Sequence, residues 1–512
     1  MRVRSLVSAG LLLALIACGS PTPRPAPDPA PVTPTTPTSE PSEPDAREHA
    51  RRLVRRLTWG ARPGELDRVA ADPEAFLRVQ LTPAPLPDDI RTRFDVFGTP
   101  VGLATRYPRT PPRQAAMMEA ASDTVGDDRD LARRLQEFAI VRAIEGEGRL
   151  HDLLVDLYFN HLNVFVGKRG IPYFLPDYER SVIAANLDGT YDRMVLGSAR
   201  HPAMLLYLDN ANSVAPRPDA RGARANRGLN ENYARELLEL HTLGVDAGYT
   251  QDDVEATARL LTGWNLSAAP REGEGREGDR RFLFRERQHD DAPRVILGER
   301  YTGGEAEGTR LLTRLATDPR TRQRLASRIA LRFLGEDEDA AARDRLAESL
   351  GTRADLAAMH RALLTEVRAD RTPGFKTPFD FVVSAARAVG GHVTNPRPLR
   401  QALTRLRMLP YQQPLPTGYA FEGAVWRSSG AMVERMQVAW SLTHGTLGVS
   451  FDLDLAAPPV ADQATLVAWA EALLGPLSHT TRATLMELDA NDEATRRDRL
   501  AIALASPEFM ER

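Results

Sequence analysis

One cysteine, Cys18, stands in 512 residues. A chain with a single thiol forms no internal disulfide, so no such bridge holds this fold. Zinc sites built on cysteine are excluded, and so is thioether-linked haem. Lysine is almost missing as well. Of 66 lysines and arginines, only Lys168 and Lys376 are lysine. Where a surface cation suffices, arginine has taken over, so a surviving lysine points to a need for a compact ammonium group. Charge of either sign is not in excess: the net charge is -3 and the sequence pI ≈ 6.4. That balance argues against nucleic acid as a partner. After the N-terminal stretch there is no run of about 18 apolar residues, the length a spanning helix needs. The nucleophile elbow G-x-S-x-G, the Walker loop, H-E-x-x-H and a G-x-G-x-x-G after a strand are all missing, which removes the common hydrolase and nucleotide-binding classes.

The ends of the chain carry clearer signals. Arg2 and Arg4 precede an apolar stretch from Leu11 to Ala17, which closes as Leu15-Ile16-Ala17-Cys18. This reads as an export signal, residues 1–17, ending in a sequence like a bacterial lipobox. Cys18 is then the expected lipidation site and the link to a membrane. Two or three acyl chains would anchor the protein stably, where one would not. Gly19 suits sorting to the outer membrane of a Gram-negative cell envelope. From 18 to 45 the chain is mostly Pro, Thr, Ala, Ser and acidic residues. Such a stretch buries nothing and stays near polyproline II, reaching roughly 80 Å as a spacer.

From Ala46 to the end the composition is that of a folded protein. The overall hydrophobic content is 42% and the charged content 26%. This length exceeds what one core usually supports, so two lobes are expected. Helical periodicity dominates, as in Leu131–Ile144, Leu150–Val164, Glu231–Leu243, Asp252–Leu261, Arg320–Phe333 and Leu356–Val367. Arg281–Arg285 and Arg294–Gly298 alternate like strands, which predicts a small β-hairpin around 281–298. The fold class is therefore mainly α, a multi-helix globular domain with one β excursion. Asn230 is placed to cap the helix after it, Gly244 to end it, and Thr250 with Asp253 to form a capping box.

Chemistry-bearing residues crowd into a few short segments. On a helix from Glu231, the side chains of Asn232, Arg235, Glu236 and Glu239 share one arc, and Tyr233, Leu237, Leu238 and His241 share the other. This is not the spacing of a two-histidine zinc helix or of a Glu-x-x-His di-iron helix. A solvated face with an Arg235–Glu239 pair is the plain reading, and a polar cleft is the other. Asn160 and His161 follow Phe159 in a segment whose apolar stripe includes His161. Either His161 is a hydrogen-bonded core residue or it meets His241 in a cavity. In Gln288-His289-Asp290-Asp291 a histidine adjoins two carboxylates, which suits a polar turn, a divalent cation or acid–base work. His201-Pro202 fits a helix start. The irregular stretch from Pro410 to Gly430, with Trp426, either lines a cleft or plugs the end of a bundle.

These segments together resemble the bacterial DUF1800 family, from about Ala46 to the end. The resemblance rests on Leu57-Thr-Trp-Gly60 with Pro63-Gly64, on Phe159-Asn-His-Leu-Asn163 and on Met204-Leu-Leu-Tyr-Leu-Asp209. It continues through Asn230 to Gly244, Gly248-Tyr-Thr250, Leu261-Thr-Gly-Trp264, His289-Asp290, Leu297-Gly298, Lys376-Thr-Pro378 and Ala505-Ser-Pro-Glu-Phe509. Two departures stand out: Asp318 occupies a place where relatives often carry histidine, and Gly418-Tyr419 replaces a Gly-Trp pair. The resemblance implies no established activity or cofactor. It implies a partner, a DUF1501-like exported protein of a kind that resembles sulfatases and alkaline phosphatases. It also places Lys376 in a motif.

Two functions are expected from these readings. One is an exported enzyme, assisted by a divalent metal and acting on an envelope or extracellular polymer. Its catalytic residues would be Arg235, Glu236, Glu239, His289 and Asp290, with Asn160, His161, Asn232, Lys376 and Trp426 binding the ligand. In that reading His161, Glu236 and His289 share one pocket. The other is a non-catalytic scaffold or maturation partner of a DUF1501-like protein, which needs an exposed apolar face.

Overall fold

A computed structural model describes residues 43–94, 128–216, 228–267, 281–336, 339–488 and 490–512. Cys18, the signal at 1–17 and the linker as far as residue 42 lie outside the described residues. Helix Glu43–Leu57 begins a few residues before the expected boundary. Twenty-three α-helices account for most of the described chain. The expected helices are all present, with ends close to those read from periodicity: Asp128–Glu145, Leu150–His161, Gln251–Leu260, Pro319–Phe333 and Leu356–Glu366. Among the described residues no helix is long and apolar enough to cross a membrane.

The caps behave as their sequences predict. Thr250 and Asp253 form a reciprocal capping box, and so do Thr377 and Asp380. His201 starts the helix Pro202–Tyr207 by accepting the Ala203 amide at Nδ1. Asp318, the departure from the expected histidine, caps Pro319–Phe333 through the Arg320 amide at 2.9 Å.

Three features differ from expectation. The length suggests two lobes, but Glu43–Arg512 is one compact unit around a single contiguous apolar cluster. The segments 281–285 and 294–298 are extended, yet they do not pair with each other. Strand β1 (Trp264–Leu266) pairs antiparallel with β2 (Phe282–Phe284), and β3 (Arg294–Ile296) with β4 (Glu299–Tyr301). His289 and Asp290 lie between the two ribbons, not at a hairpin tip. Thirdly, the helix from Asn232 changes to π geometry over Leu237–His241. The Thr242 hydroxyl takes the Leu237 carbonyl at 2.6 Å and the Gly244 amide takes that of Leu238 at 3.1 Å, which widens the last turn.

Buried arginines tie these helices together, which explains why arginine displaced lysine. Arg387 is 1% exposed and donates to the carbonyls of Gly60, Ala143, Ile144, Gly146 and Glu147. It thereby satisfies the carboxyl end of Asp128–Glu145, where orphan carbonyls and the helix dipole both favour a cation. Arg56 does the same after Leu356–Glu366, through Val367, Ala369 and Arg371. A five-donor fork serves several carbonyls at once, which an ammonium cannot do. Burial lowers both guanidinium pKa values to about 10. The two lysines fill narrower places. Lys168 donates to the Tyr207 carbonyl at 2.7 Å and pairs with Asp209 at 2.8 Å. Lys376 donates to the Phe509 carbonyl at 2.6 Å and lies over the Phe509 ring.

Candidate functional site

The residues singled out by the sequence are mostly engaged in holding the fold. The His289 side chain is fully buried. Its Nδ1 bonds the Thr262 carbonyl at 2.8 Å, and its Nε2 accepts the Gly304 amide at 2.7 Å. Those roles fix the Nδ1–H tautomer and leave neither nitrogen for a metal or a substrate. Asp290 pairs with Arg259 at 3.1 Å and Arg294 at 3.0 Å and accepts the Ala292 amide. Burial opposes its charge, but these donors more than offset it and hold its pKa below the usual carboxylate range. His289 and Asp290 are therefore a locked corner between the two ribbons.

The Asn230–Gly244 segment folds with the two faces its spacing predicts. Tyr233, Leu237, Leu238 and His241 are buried. On the other face Arg235 pairs with Glu231 at 3.3 Å and with Glu239 at 3.7 Å, and donates to Gln251 at 2.8 Å. The Asn232 amide donates to Asn230 at 2.9 Å, and its side chain donates to the Leu208 carbonyl at 3.5 Å. Glu236 is half-buried, and its carboxyl is raised by burial and then by Glu239. His161 hydrogen-bonds the Tyr191 hydroxyl at 2.8 Å, and that hydroxyl donates to the His241 carbonyl. Burial, reinforced by Arg328 and Arg324, holds the His161 imidazole neutral. None of His161, Glu236 and His289 lines any of four cavities among the described residues, so none of these four brings the three together. Lys376 lines a separate cavity but is committed to the Phe509 carbonyl. Burial holds its amine well below the usual lysine range. The Trp426 indole donates to Ala420 within its own loop at 3.0 Å.

A different polar cavity is formed. Its volume is ≈ 60 Å³, and its walls include Trp59, Arg142, Asp152, Asp156, Asn160, Glu179, Phe379, Tyr411 and Tyr419. Helix Leu150–His161 presents Asp152, Asp156 and Asn160 at i, i+4 and i+8, while Leu150, Leu153, Leu154, Leu157 and Tyr158 face the core. Glu179 arrives on the π-helical segment Tyr178–Ile183, which follows Pro176 inside the preceding helix. Proline removes a backbone donor, so the turn after it is free to widen.

The cavity's roof is the loop 408–421, and the segment Phe159-Asn-His-Leu-Asn163 clamps it. Asn160 donates to the Tyr419 carbonyl at 2.7 Å and accepts its amide at 2.6 Å. Asn163 donates to Gln413 and Leu415, and Tyr207 to Pro414. Gly418 has φ +72°, and a Cβ there would lie 2.1 Å from the Asn160 carbonyl oxygen, so glycine is required. The irregular loop does line a cavity, as one of its two readings holds.

Within the cavity two carboxylates sit in contrasting surroundings. Glu179 is paired: Arg142 reaches it at 2.5 Å and the Tyr411 hydroxyl donates at 2.7 Å. Burial works against the Arg142 charge, but Glu179 and Tyr411 more than offset it. Asp156 takes no hydrogen bond and no ion pair among the described residues. Burial raises its pKa to about 6; Asp380 and Glu179 push the same way, against Arg332 and Arg142. A carboxyl that titrates there can give or take a proton near neutrality. One group of potential metal ligands occurs among the described residues, Asp89, Glu145 and His392. Glu145 is already bound by the Val393 amide at 2.6 Å and by Arg93 at 3.4 Å. No residue expected to hold a metal belongs to that group.

The fold and the cavity define a class: a helical, single-core protein with one unpaired carboxyl enclosed in a roofed polar cavity. The chain belongs to the DUF1800 family, described as a protein of unknown function, whose model matches residues 52–511. No curated protein and no solved structure matches it.

Proposed function

We propose that this is an exported, lipid-anchored acid–base hydrolase of the bacterial envelope, with Asp156 as proton donor. The observation that carries this reading is the Asp156 carboxyl, unpaired in a polar cavity and raised to about 6. Burying such a group without a partner destabilises a fold, and active sites are where that loss is tolerated. In hydrolysis, Asp156 would protonate the leaving oxygen while a carboxylate takes the proton from the attacking water. Asp152, one turn earlier on the same wall, is placed for the second role. Arg142, Glu179 and Tyr411 would hold the cavity's shape and charge. At ≈ 60 Å³ the cavity admits only a few heavy atoms. The substrate would insert a side group or chain end of an envelope polymer. Anchoring through Cys18 and a spacer of roughly 80 Å would let the domain reach that polymer.

The test is release of soluble fragments from purified envelope polymers. Wild type should release them, Asp156→Asn should not, and the two should have equal secondary structure. Equal release by both would overturn the reading.

A second reading has its own observation. Val433, Met436 and Trp440 form a stripe along Ser429–Thr443, each about half exposed. Such a stripe suits docking of a partner such as a DUF1501-like protein. Met436→Glu should then abolish co-purification of that protein and leave fragment release intact. Unchanged co-purification would remove this reading.

A further inference from the structure

On the far side of the roof loop lies a larger cavity, ≈ 450 Å³, lined by Arg324, Ser327, Arg328, Thr417, Tyr419 and Glu422 among others. Its chemistry is the reverse of that at Asp156. Arg324 and Arg328 stand one turn apart on helix Pro319–Phe333, and so point the same way. Neither is paired with a carboxylate among the described residues. Arg324 donates one Nη1 bond to the Glu239 carbonyl, and its buried Nε has no acceptor. Arg328 has no acceptor at either Nε or Nη2, both of them buried, and its guanidinium contacts only the Phe421 ring, at 5.8 Å. Glu422, exposed on the loop, also lines the cavity, and no ion pair joins it to Arg328 among the described residues.

Arg387 and Arg56, by contrast, are met by several carbonyls each, and Arg142 by the Glu179 carboxylate. Burial and Arg324 lower the Arg328 pKa to about 10, so the guanidinium keeps its charge near neutrality. Burial and then these two guanidinium groups hold the His161 imidazole well below its usual range, and burial followed by Arg324 lowers the His241 pKa to about 3. An unpaired guanidinium facing a cavity is costly unless an anion arrives to meet it.

We propose that Arg324 and Arg328 form an oxyanion site that receives a phosphate, sulfate or carboxylate group of a ligand. Arg324 and Arg328 bring two guanidinium groups, one turn apart, to the wall of the cavity. The volume is many times that of one such group, so the oxyanion belongs to a larger molecule whose body occupies the rest. This site is independent of Asp156 and stands or falls separately.

The probes are inorganic phosphate, sulfate and acetate, each added to the full-length protein at constant ionic strength with chloride as control. Phosphate or sulfate should raise the melting temperature of wild type beyond chloride; a response confined to acetate would mark the ligand as a carboxylate. Arg328→Gln should melt at or above wild type without anion, and its apparent Kd for the anion should rise at least tenfold. Arg324→Gln should weaken binding less. Should Arg328→Gln not fold, labelling of wild type with the arginine reagent phenylglyoxal decides. Bound anion should protect Arg328, as read by mass spectrometry. Equal labelling with and without every anion, or an unchanged response in a folded Arg328→Gln, would overturn the proposal.

Discussion

The corner at His289–Asp290 and the cavity at Asp156 use similar side chains to opposite ends. At the corner the His289 and Asp290 side chains have found their partners. His289 uses both ring nitrogens and Asp290 is held by two arginines and an amide. In the cavity, the Asp156 carboxyl stands among both polar and apolar side chains and takes no bond among the described residues. A histidine beside two carboxylates draws attention in a sequence, but the folded chain spends that chemistry on joining two β-ribbons. Reactivity is found where satisfaction stops, because a saturated donor or acceptor has nothing left to offer a ligand.

Substitutions sharpen the contrast. The largest effect is expected at the corner. His289→Ala removes two hydrogen bonds and strands the Gly304 amide, so it should lower stability by about 2–4 kcal/mol in a denaturant titration. A loss near zero would mean that the corner is not a structural lock.

Asp156→Asn should act in the opposite direction, and only at higher pH. The folded-state pKa, about 6, lies above the unfolded carboxyl value near 3.9. Below about pH 4 both states are protonated, so the substitution should be neutral. From about pH 4 to about 6 the unfolded state gives up its proton while the folded state keeps it, so stability falls, and above about 6 the loss is complete. By about pH 8 Asp156→Asn should be more stable than wild type by up to about 3 kcal/mol. A destabilised Asp156→Asn at that pH would mean that the carboxyl has a structural partner.

The smallest change is expected on the helical hairpin. Glu236 makes no ion pair among the described residues, and the nearby Arg235 is shared by Glu231, Glu239 and Gln251. Glu236→Gln should shift stability by less than about 1 kcal/mol. A larger loss would show that this face is a buried network and not a half-solvated one.

Much of the fold was legible in the sequence. Periodicity marked the helices, and Thr250 and Gly244 marked their ends, because caps and stops act locally. The partners of the extended segments were not legible. Strands of three residues carry too little alternation to specify a register, and Trp264–Leu266 followed directly on a helical pattern. The two-lobe expectation failed because length alone ignores the buried arginines that weld helix ends into one core. Of the candidate site, Asn160 lies at a cavity wall, where its amide clamps the roof. Asp156 was overlooked because a lone aspartate on the polar side of an amphipathic helix reads as solvated. The signal that could have found it is the Asp152–Asp156–Asn160 stripe on a helix ahead of Pro176. Arg328 was hidden among many arginines, since a sequence does not show which of them lack acceptors.

The central claim is that Asp156 is held unpaired and near-neutral in its titration. Its carboxyl carbon can be followed directly by NMR in protein labelled with ¹³C-aspartate, with Asp156→Asn assigning the resonance. The account predicts a titration midpoint near 6 that moves when an inserted ligand group binds. A midpoint near 4, the value of a solvated aspartate, would contradict it.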